Sequence, residues 1–559
     1  MEPASLALAA FTSFKEVYLV SRFVYRVNVS RRNATPERKL LQSKFRYEVL
    51  FLQSLGHCFF RSGDIVDNAE LNKRWWKQVY EIIERMRLLL GDYSRIAAEE
   101  DDTYKYFSPF LNSSMFDTKA IEFDINEGLP EPANSRPISF RALRWLGIKA
   151  GQKVNENLDD WKWALVEKRR FEHVLASLQE ENSRLKDVLP LISMTASSNS
   201  RTHVKSQSPI LETNDDTRRL GLAAHAQLRE ITSSAEYRKE IQILKEGLRP
   251  VALSTGSPLV VCEVAQHQSI SKQKIERVLV EYKHYLQLRD STEEEIQIDR
   301  QRAHQLARLL ASAGENDLAT LSFRGLQDEP DAARHIFTFH FPPGTDTLEG
   351  PVSLWNLIDT NRVDTRLDLS RRFQVAEALA KTIGGFHADG WVHKSLRSES
   401  VIFFYQENTM NLLVRFPYLV NFEYSRPQGA GTKLEFDNDC ERNLYRHPDR
   451  QGEPRISFTR LHDLYALGVV LLEIGLWQTV SSMVKEVQVR SGGQRSVTNI
   501  LKQLTKRRLS HHMGPTYAEA VLSCIDDRYE HRISNADFPM VFHDEVIRKL
   551  DVRALWNSQ

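Results

Sequence analysis

The chain changes character at a polar stretch near its middle, and this change constrains the fold more than any other feature. Residues 193–216, SMTASSNSRTHVKSQSPILETNDD, are rich in Ser, Thr and Asn and poor in aromatics, which is typical of a flexible linker. Apolar residues recur at helical spacing before it, and short β-rich runs appear after it. Because 559 residues exceed what one hydrophobic core accommodates, the chain is predicted to combine an all-α half with an α+β half.

The N-terminal half is predicted to be a helical bundle. Its first helix carries a core-facing stripe of seven residues, namely Leu6, Ala10, Phe14, Val17, Val20, Val24 and Val27. Further helices are predicted from about 38 to 60, 68 to 90 and 158 to 189, the last ending at Pro190 because proline interrupts a helix. The bundle therefore spans residues 1–192, ahead of the linker at 193–216 and a helical brace over 217–248.

The C-terminal half is predicted to have two unequal lobes. Strands are expected at 258–265, 277–282 and 334–341, with one helix at about 292–312, and a mostly helical remainder follows. The predicted lobes are therefore a small one at 249–342 and a large one at 343–559.

Charge and cysteine content exclude several classes of protein. The chain has 75 basic and 74 acidic side chains, so no nucleic-acid partner is indicated. No stretch reaches the roughly 20 apolar residues of a spanning helix, and no basic leader marks a signal peptide. The four cysteines are Cys58, Cys262, Cys440 and Cys524, and their spacing matches no zinc or redox motif. No metal site is therefore predicted, and a reducing, cytoplasmic compartment is expected.

Residues 386–404, FHADGWVHKSLRSESVIFF, carry the most informative pattern of the C-terminal half. They resemble the catalytic loop of protein kinases, where H-R-D-L-x-x-x-N is expected. His393 and Leu396 match that motif, whereas Ser395 replaces the catalytic Asp and Ser400 replaces the magnesium-binding Asn. The resemblance also places Lys394 at the motif's Arg and Arg397 at the phosphate-facing Lys.

Four further stretches follow the kinase order. In LVNFEYSR, Asn421 replaces the Asp of D-F-G, Phe422 matches and Glu423 replaces the Gly. Residues 445–449 resemble A-P-E with Asp449 as the acid, and residues 462–470 resemble the start of the central helix of the large lobe, with Asp463 holding the catalytic loop. The resemblance makes Arg532 the partner of the A-P-E acid. The expected fold is therefore a two-lobed, protein-kinase-like α+β fold.

The pattern of losses predicts a pseudokinase. Phosphoryl transfer needs an Asp as base, and an Asp with an Asn to hold Mg²⁺. These three positions are Ser395, Asn421 and Ser400, and a serine hydroxyl or a neutral amide replaces those functions poorly near pH 7. His393, Phe422 and Asp463, which have structural roles, remain. No enzymatic activity and no cofactor are therefore expected.

The small lobe shows a weaker resemblance. Residues 280–283, VEYK, resemble V-A-I-K, which makes Lys283 and Arg397 the candidate nucleotide contacts. An exposed strand end is the alternative interpretation of Lys283. Gly256 is the one glycine between residues 248 and 283, so the glycine-rich loop that would bind phosphates is missing. Nucleotide binding is therefore not expected. Four acids remain open as the Lys283 partner: Glu293, Glu294, Glu295 and Asp299.

The N-terminal half resembles the HeLo domain of fungal heterokaryon-incompatibility proteins. The resemblance rests on the opening MEPASLALAAFTSFKEVYLVSRFVYRV and on the closing run from Lys162 to Pro190. It implies a bundle whose N-terminal segment enters a membrane. Nine Lys/Arg against four Glu in residues 1–48 give a local charge of +5, which suits an anionic lipid surface, although a solvated basic helix face has the same composition. The residues predicted to insert are Leu6, Leu8, Phe11 and Phe14.

The combined layout resembles that of the animal mixed-lineage-kinase-like necroptosis executioner. It implies a cell-death effector that is cytoplasmic at rest, responds to an upstream protein activator, forms homo-oligomers and permeabilises the plasma membrane through contact with its lipids. Two alternatives remain at this point. One is a non-lytic signalling adaptor, and the other is an atypical nucleotide-binding kinase-like protein.

Overall fold

The structure is a computed structural model of the chain. The described residues are 3–30, 36–60, 73–100, 129, 168–198, 215–220, 222, 248–250, 262–268, 275–285, 293–313, 318–361, 365–388, 390–409, 411–414, 416–427, 439–451, 454, 456–491, 496–526 and 538–551. The chain divides into two compact units, residues 1–226 and 227–559.

The first unit is helical throughout its described part, as predicted. Its helices are α1 (Pro3–Ser30), α2 (Pro36–Phe59), α3 (Lys73–Glu100), α4 (Lys168–Ser198) and the short α5 (Asp215–Arg219). Helices α1 and α4 each pack on both α2 and α3. Two polar contacts brace α4: Arg85 on α3 binds Glu181 at 3.0 Å, and the Asn182 amide donates to Glu48 at 2.7 Å.

Helix α1 forms because its apolar residues line one face. Phe14, Val17 and Val24 are buried in the core of this unit, and so are Leu6 and Ala10. Burying an aliphatic or aromatic side chain stabilises a fold by roughly 1.5–3 kcal/mol. The predicted stripe is therefore the core-facing side of the helix over its described positions.

Helix α4 continues beyond Pro190, contrary to the prediction. It ends at Ser198, eight residues past the proline. An interior proline removes one backbone hydrogen bond and crowds the preceding turn, at a cost of about 3 kcal/mol. Leu185, Val188 and Leu189 are buried immediately before it, so tertiary packing offsets that cost. The predicted linker is accordingly helical at both ends, up to residue 198 and again from Asp215.

The second unit begins with a five-stranded antiparallel sheet of order β1-β2-β3-β5-β4. Its strands are β1 (Leu248–Pro250), β2 (Glu263–Gln268), β3 (Ile275–His284), β4 (Phe323–Glu329) and β5 (Arg334–His340). Helix α6 (Glu293–Ala313) lies between β3 and β4 and packs against β4. The strands predicted at 277–282 and 334–341 and the predicted helix are therefore present. The strand predicted at 258–265 partly overlaps β2, with its first four residues outside the described part of the chain, and β1 and β4 were not predicted. The predicted brace over 217–248 lies mostly outside the described residues.

The remainder of this unit is mainly helical and carries small antiparallel pairings. One three-stranded sheet contains β6 (Val352–Ser353), β8 (Val401–Phe403) and β9 (Tyr418–Leu419), and β7 (Trp391–Val392) pairs with β10 (Arg426–Pro427). The helices are α7 (Leu354–Thr360), α8 (Leu369–Ala388), α9 (Cys440–Leu444), α10 (Arg460–Leu476), α11 (Val480–Ser491), α12 (Val497–Leu504), α13 (Ser510–Met513), α14 (Pro515–Ile525), α15 (Phe538–Phe542) and α16 (Arg548–Leu550).

Helix α10 forms the centre of this helical part. All of its residues from His462 to Leu476 are buried, and it packs on α8 and α14. Gly468 permits the approach of α14, because a Cβ at this position would lie 2.8 Å from the Cβ of Cys524. A helix held so firmly is a rigid platform for the loop segments that rest on its N-terminal end.

Within the described segments, no single helix has both the length and the apolar composition of a membrane span. The pair Arg460–Leu476 and Val480–Arg490 reaches that composition together but bends by 80° between its two parts.

Candidate functional site

Asp463, in the first turn of α10, anchors the loop that follows β7. Its carboxylate accepts the backbone N–H groups of His393 at 2.7 Å and Lys394 at 2.8 Å, and it lies 3.1 Å from Nε2 of His387. Burial opposes ionisation of Asp463, but the contacts with both histidines and the backbone outweigh it and lower its pKa. The ionised Asp463 therefore fixes the backbone of residues 393–394, the role that the sequence predicts for it.

His393 joins this loop to the segment that follows β9. Its Nε2 lies 3.1 Å from the carbonyl oxygen of Val420, and its ring packs edge-on against Phe422, with 4.9 Å between centroids. Phe422 also packs against Phe386 on α8. Burial lowers the pKa of His393 to about 4, so its imidazole is neutral and serves packing and hydrogen bonding. The structure thus brings together His393 and Phe422 as predicted.

Ser395, Ser400 and Asn421, the three positions at which the sequence resemblance predicts lost kinase chemistry, lie in one hydrogen-bonded cluster. The side-chain amide of Asn421 donates to Ser395 Oγ at 2.7 Å and to Ser400 Oγ at 3.2 Å. The Ser400 hydroxyl donates to the carbonyl oxygen of Ser395 at 2.7 Å. None of these three side chains carries a charge near neutral pH. The cluster connects two loops and offers neither a base nor an anionic metal ligand.

Glu281, which the sequence pattern did not single out, contacts this cluster through the backbone of Asn421. It lies on β3, and its two oxygens accept the backbone N–H of Asn421 at 2.9 Å and that of Phe422 at 2.8 Å. Burial raises its pKa to about 7, against the opposing effect of these two donors. The sequence signal for this role was a glutamate between apolar residues of a predicted strand, Val278–Val280 and Tyr282. A carboxylate buried in this way needs a hydrogen-bond or charge partner.

Lys283 lies two residues further along the same strand and therefore on the same face as Glu281. Its ammonium group donates to the backbone carbonyl of Glu423, and the neighbouring His284 lies 3.2 Å from the Glu423 carboxylate. Lys283 thus contacts the segment that resembles D-F-G. The side chains of its four candidate acid partners on α6 lie outside the described residues.

Two basic side chains of the same loop have different environments. Burial, with Arg426 and Arg450 nearby, lowers the pKa of Lys394 to about 7, and its ammonium lies 5.8 Å from the centre of the Phe458 ring. Arg397 binds Glu399 at 3.1 Å. Arg397 thus contacts an acid of its own loop.

A second buried acid lies on the far side of the loop. Glu473 on α10 accepts the backbone N–H of Val480 at 2.7 Å and the Tyr445 hydroxyl at 2.8 Å. The Tyr445 hydroxyl is also 2.8 Å from Ser398 Oγ. Burial raises the pKa of Glu473 to about 8, so its protonated form prevails at neutral pH. This chain of contacts ties α10 to the loop through neutral groups.

Asp449, the predicted A-P-E acid, lies beside two histidines. The candidate ligand atoms of Asp449, His447 and His462 lie within 4.8 Å of one another. However, His462 Nδ1 accepts the Thr459 N–H at 2.7 Å, and His447 Nδ1 accepts the Asp449 N–H at 3.3 Å. A neutral histidine that accepts through Nδ1 carries its proton on Nε2, so both rings have their lone pair engaged and suit a metal ion poorly. Arg532 lies outside the described residues.

Comparison with known families assigns both halves of the chain. A family model described as "Domain of unknown function (DUF7580)" matches residues 259–551, more than half of the chain. The chain belongs to this family. All the loop contacts described above, from Glu281 to Glu473, lie within the DUF7580 match.

A second family model, HeLo, described as "Prion-inhibition and propagation", matches residues 26–222. The predicted HeLo domain is therefore confirmed, and it indicates a role related to fungal cell death or incompatibility. No curated protein matches the chain.

The four residues predicted to enter a membrane differ in burial. Leu6 and Phe14 lie in the core of the HeLo-containing unit, and Phe11 is half-buried with its ring 5.9 Å from that of Phe60. Leu8 is 60% exposed. A charged substitution at Leu6 would therefore place the charge in the core, whereas the same change at Leu8 would place it at the surface.

The end of the HeLo match folds back onto its own bundle. Asp216 on α5 accepts the Ser54 hydroxyl at 2.7 Å and lies 2.9 Å from His57 Nδ1, and both partners belong to α2. Leu220 and Leu222, which follow, are buried. The chain is thus fixed to α2 shortly before the second unit begins at residue 227. The sequence pattern predicts the junction of linker and brace at this segment and does not indicate its docking on α2. The second unit, residues 227–559, contains the DUF7580 match and is called the DUF7580 unit below.

Proposed function

We propose that the DUF7580 unit is a non-catalytic domain of protein-kinase-like fold that restrains the HeLo domain. On activation, the restraint ends, the HeLo domain oligomerises, and its N-terminal helix permeabilises the plasma membrane. The observation that carries the proposal is the neutral cluster of Ser395, Ser400 and Asn421. It occupies the three positions at which a kinase of this pattern needs its base and its metal ligands.

Two further observations support the kinase-like fold. The first is the order of the elements, a five-stranded antiparallel sheet with one helix, followed by a mainly helical part. The second is the conservation of structural roles, since Asp463 holds the loop backbone and Phe422 packs against His393. His393, Phe422 and Asp463, which match the kinase pattern, make packing or hydrogen-bonding contacts, whereas Ser395, Ser400 and Asn421 depart from it at the positions that the pattern assigns to the chemistry.

The exposure of Leu8 supports the membrane part of the proposal. An apolar side chain on the surface of α1 can contact lipid before the bundle opens. The buried Leu6 and Phe14 would become available only after α1 leaves the bundle.

Dye release from anionic liposomes tests the proposal directly. Residues 1–226, which form a compact unit, are compared with the full chain at equal protein-to-lipid ratio. Release by the fragment alone is expected. Release by neither protein would refute the lytic role and favour a signalling adaptor, for which co-purification of a protein partner is the next experiment.

Calorimetry with ATP and Mg²⁺ tests the non-catalytic assignment separately. No heat of binding is expected from the full chain. A binding signal that is lost in Lys283→Ala would instead favour an atypical nucleotide-binding protein.

A further inference from the structure

Asn421 and Phe422 present two successive backbone N–H groups to the same point. Asn421 has a φ of +74°, which is the left-handed conformation, and this turns its N–H towards the same side as that of Phe422. Successive N–H groups arranged in this way form a concave anion-binding nest. Both groups are buried in the described structure, so each needs an acceptor.

Glu281 supplies that acceptor from a different part of the fold. Strand alternation places it on the same face of β3 as Leu279 and Lys283, and its side chain is 4% exposed. One carboxylate oxygen faces each N–H, at 2.9 and 2.8 Å. Lys283 contacts the next residue of the segment, through the Glu423 carbonyl. Two side chains of β3 thus hold three consecutive residues of the segment.

We propose that the N–H groups of Asn421 and Phe422 form a carboxylate-binding site that Glu281 occupies as an internal ligand, which locks β3 to the 420–426 segment. The site is complete in the folded chain and closed to external anions as long as Glu281 occupies it. Opening the space between the sheet and the helical part requires Glu281 to leave. The inference depends on these contacts alone and not on membrane activity, so its outcome is independent of the liposome experiment.

The Glu281→Ala variant of the full chain tests the site by chemical rescue. The substitution removes a CH₂–COO⁻ group, which acetate reproduces. The variant is expected to melt about 5–10 °C below the wild type, because two buried donors lose their acceptor. Added acetate should raise its melting temperature in a saturable manner and by more than equal NaCl does, since a ligand that binds only the folded state stabilises it.

Two variants serve as controls. In Glu281→Gln the amide fills the space, one oxygen accepts one N–H, and the –NH₂ group faces the other donor; a smaller loss and no acetate effect are expected. Glu263→Ala removes an exposed carboxylate from the adjacent strand β2, together with the hydrogen bond that it accepts from the Tyr282 hydroxyl at 2.9 Å; it should lose little stability and show no acetate effect. An acetate effect that is equal in all three variants, or absent from Glu281→Ala, would overturn the proposal.

Hydrogen exchange on the wild-type chain gives a test that does not require Glu281→Ala to fold. The amides of Asn421 and Phe422 should exchange slowly, and faster in Glu281→Gln. Rapid exchange of both amides in the wild type would show that Glu281 does not hold them and would overturn the proposal.

Discussion

The side-chain amide nitrogen of Asn421 lies 2.7 Å from Oγ of Ser395. In a chain of active-kinase pattern these positions would hold two carboxylates, one for the metal and one for the substrate proton. Here the Asn421 amide donates to the Ser395 hydroxyl, and this hydrogen bond joins the two loops. The three positions Ser395, Ser400 and Asn421 thus form a structural contact made of neutral groups.

Asn421→Asp is expected to destabilise the DUF7580 unit by roughly 1–3 kcal/mol, because a carboxylate would replace a donor next to the Ser395 carbonyl. It should not create kinase activity, since Ser395 and Ser400 remain. Denaturant unfolding and a phosphoryl-transfer assay measure the two effects. Asn408→Asp is the matched control, since Asn408 is exposed and has a φ of +59°. Equal stability of the two variants would contradict the structural role.

Asp463→Asn should cost roughly 2–5 kcal/mol of unfolding free energy. One amide oxygen remains to accept the N–H groups of His393 and Lys394, and the new –NH₂ group brings a buried donor next to a donor. Asp359→Asn, at an exposed position on α7, should change stability little. If both variants unfold at the same denaturant concentration, the loop does not depend on Asp463.

The raised pKa of Glu473 predicts a specific dependence of stability on pH. The folded chain holds this proton up to about pH 8, whereas the unfolded chain releases it near 4.5. The resulting stabilisation is complete below about pH 4.5 and is lost as pH rises through about 8, by at most about 1.4 kcal/mol per pH unit. Tyr445 and Glu399 also face this carboxyl group.

Glu473→Gln should therefore gain stability relative to the wild type as pH rises from 5 to 9. Thermal melts at intervals of one pH unit measure the difference, and Glu407→Gln, at an exposed position, is the control. Parallel curves for the wild type and Glu473→Gln would show that Glu473 is ionised in the folded chain.

Leu8→Glu should reduce dye release from anionic liposomes and leave the melting temperature of residues 1–226 nearly unchanged, because Leu8 is exposed. Thr12→Glu places the same charge on the exposed side of α1 one turn further along and controls for charge alone. Leu6→Glu should instead unfold the bundle, since Leu6 is buried. Undiminished release by Leu8→Glu would argue against lipid contact through this residue.

Asp216→Ala is expected to release α5 from α2 at a cost of roughly 1–3 kcal/mol, because Ser54 and His57 lose their common acceptor. Hydrogen exchange over residues 215–222 measures the release. Asp215→Ala, at the exposed neighbouring position, should leave exchange there slow. Unchanged protection in Asp216→Ala would assign the docking to Leu220 and Leu222 alone.

The sequence pattern predicted that Asp463 holds the loop, and its carboxylate does accept the backbone N–H groups of His393 and Lys394. The cluster of Ser395, Ser400 and Asn421 was not predicted, since these residues were selected only as separate motif positions. Nor did the pattern indicate Glu281. Its role depends on strand register and on the left-handed conformation of Asn421, and neither is visible in the residue types.

The errors of prediction have a related cause. Pro190 favoured a helix end, but local preference yielded to the buried residues that precede it. Leu6 and Leu8 are both leucines near the N-terminus, yet the phase of α1 buries one and exposes the other. The spacing of apolar residues predicted the helix, whereas the structure was needed to show which residues of α1 are exposed.

The docking of α5 also determines how force passes along the chain. Whatever pulls on the polypeptide downstream of Leu222 acts first on Asp216, Leu220 and Leu222, and through them on α2. The HeLo domain is therefore loaded at the side of one helix and not at the end of α4. Such a pull would meet the polar contacts of Asp216 with Ser54 and His57 before it reaches the other helices of the bundle.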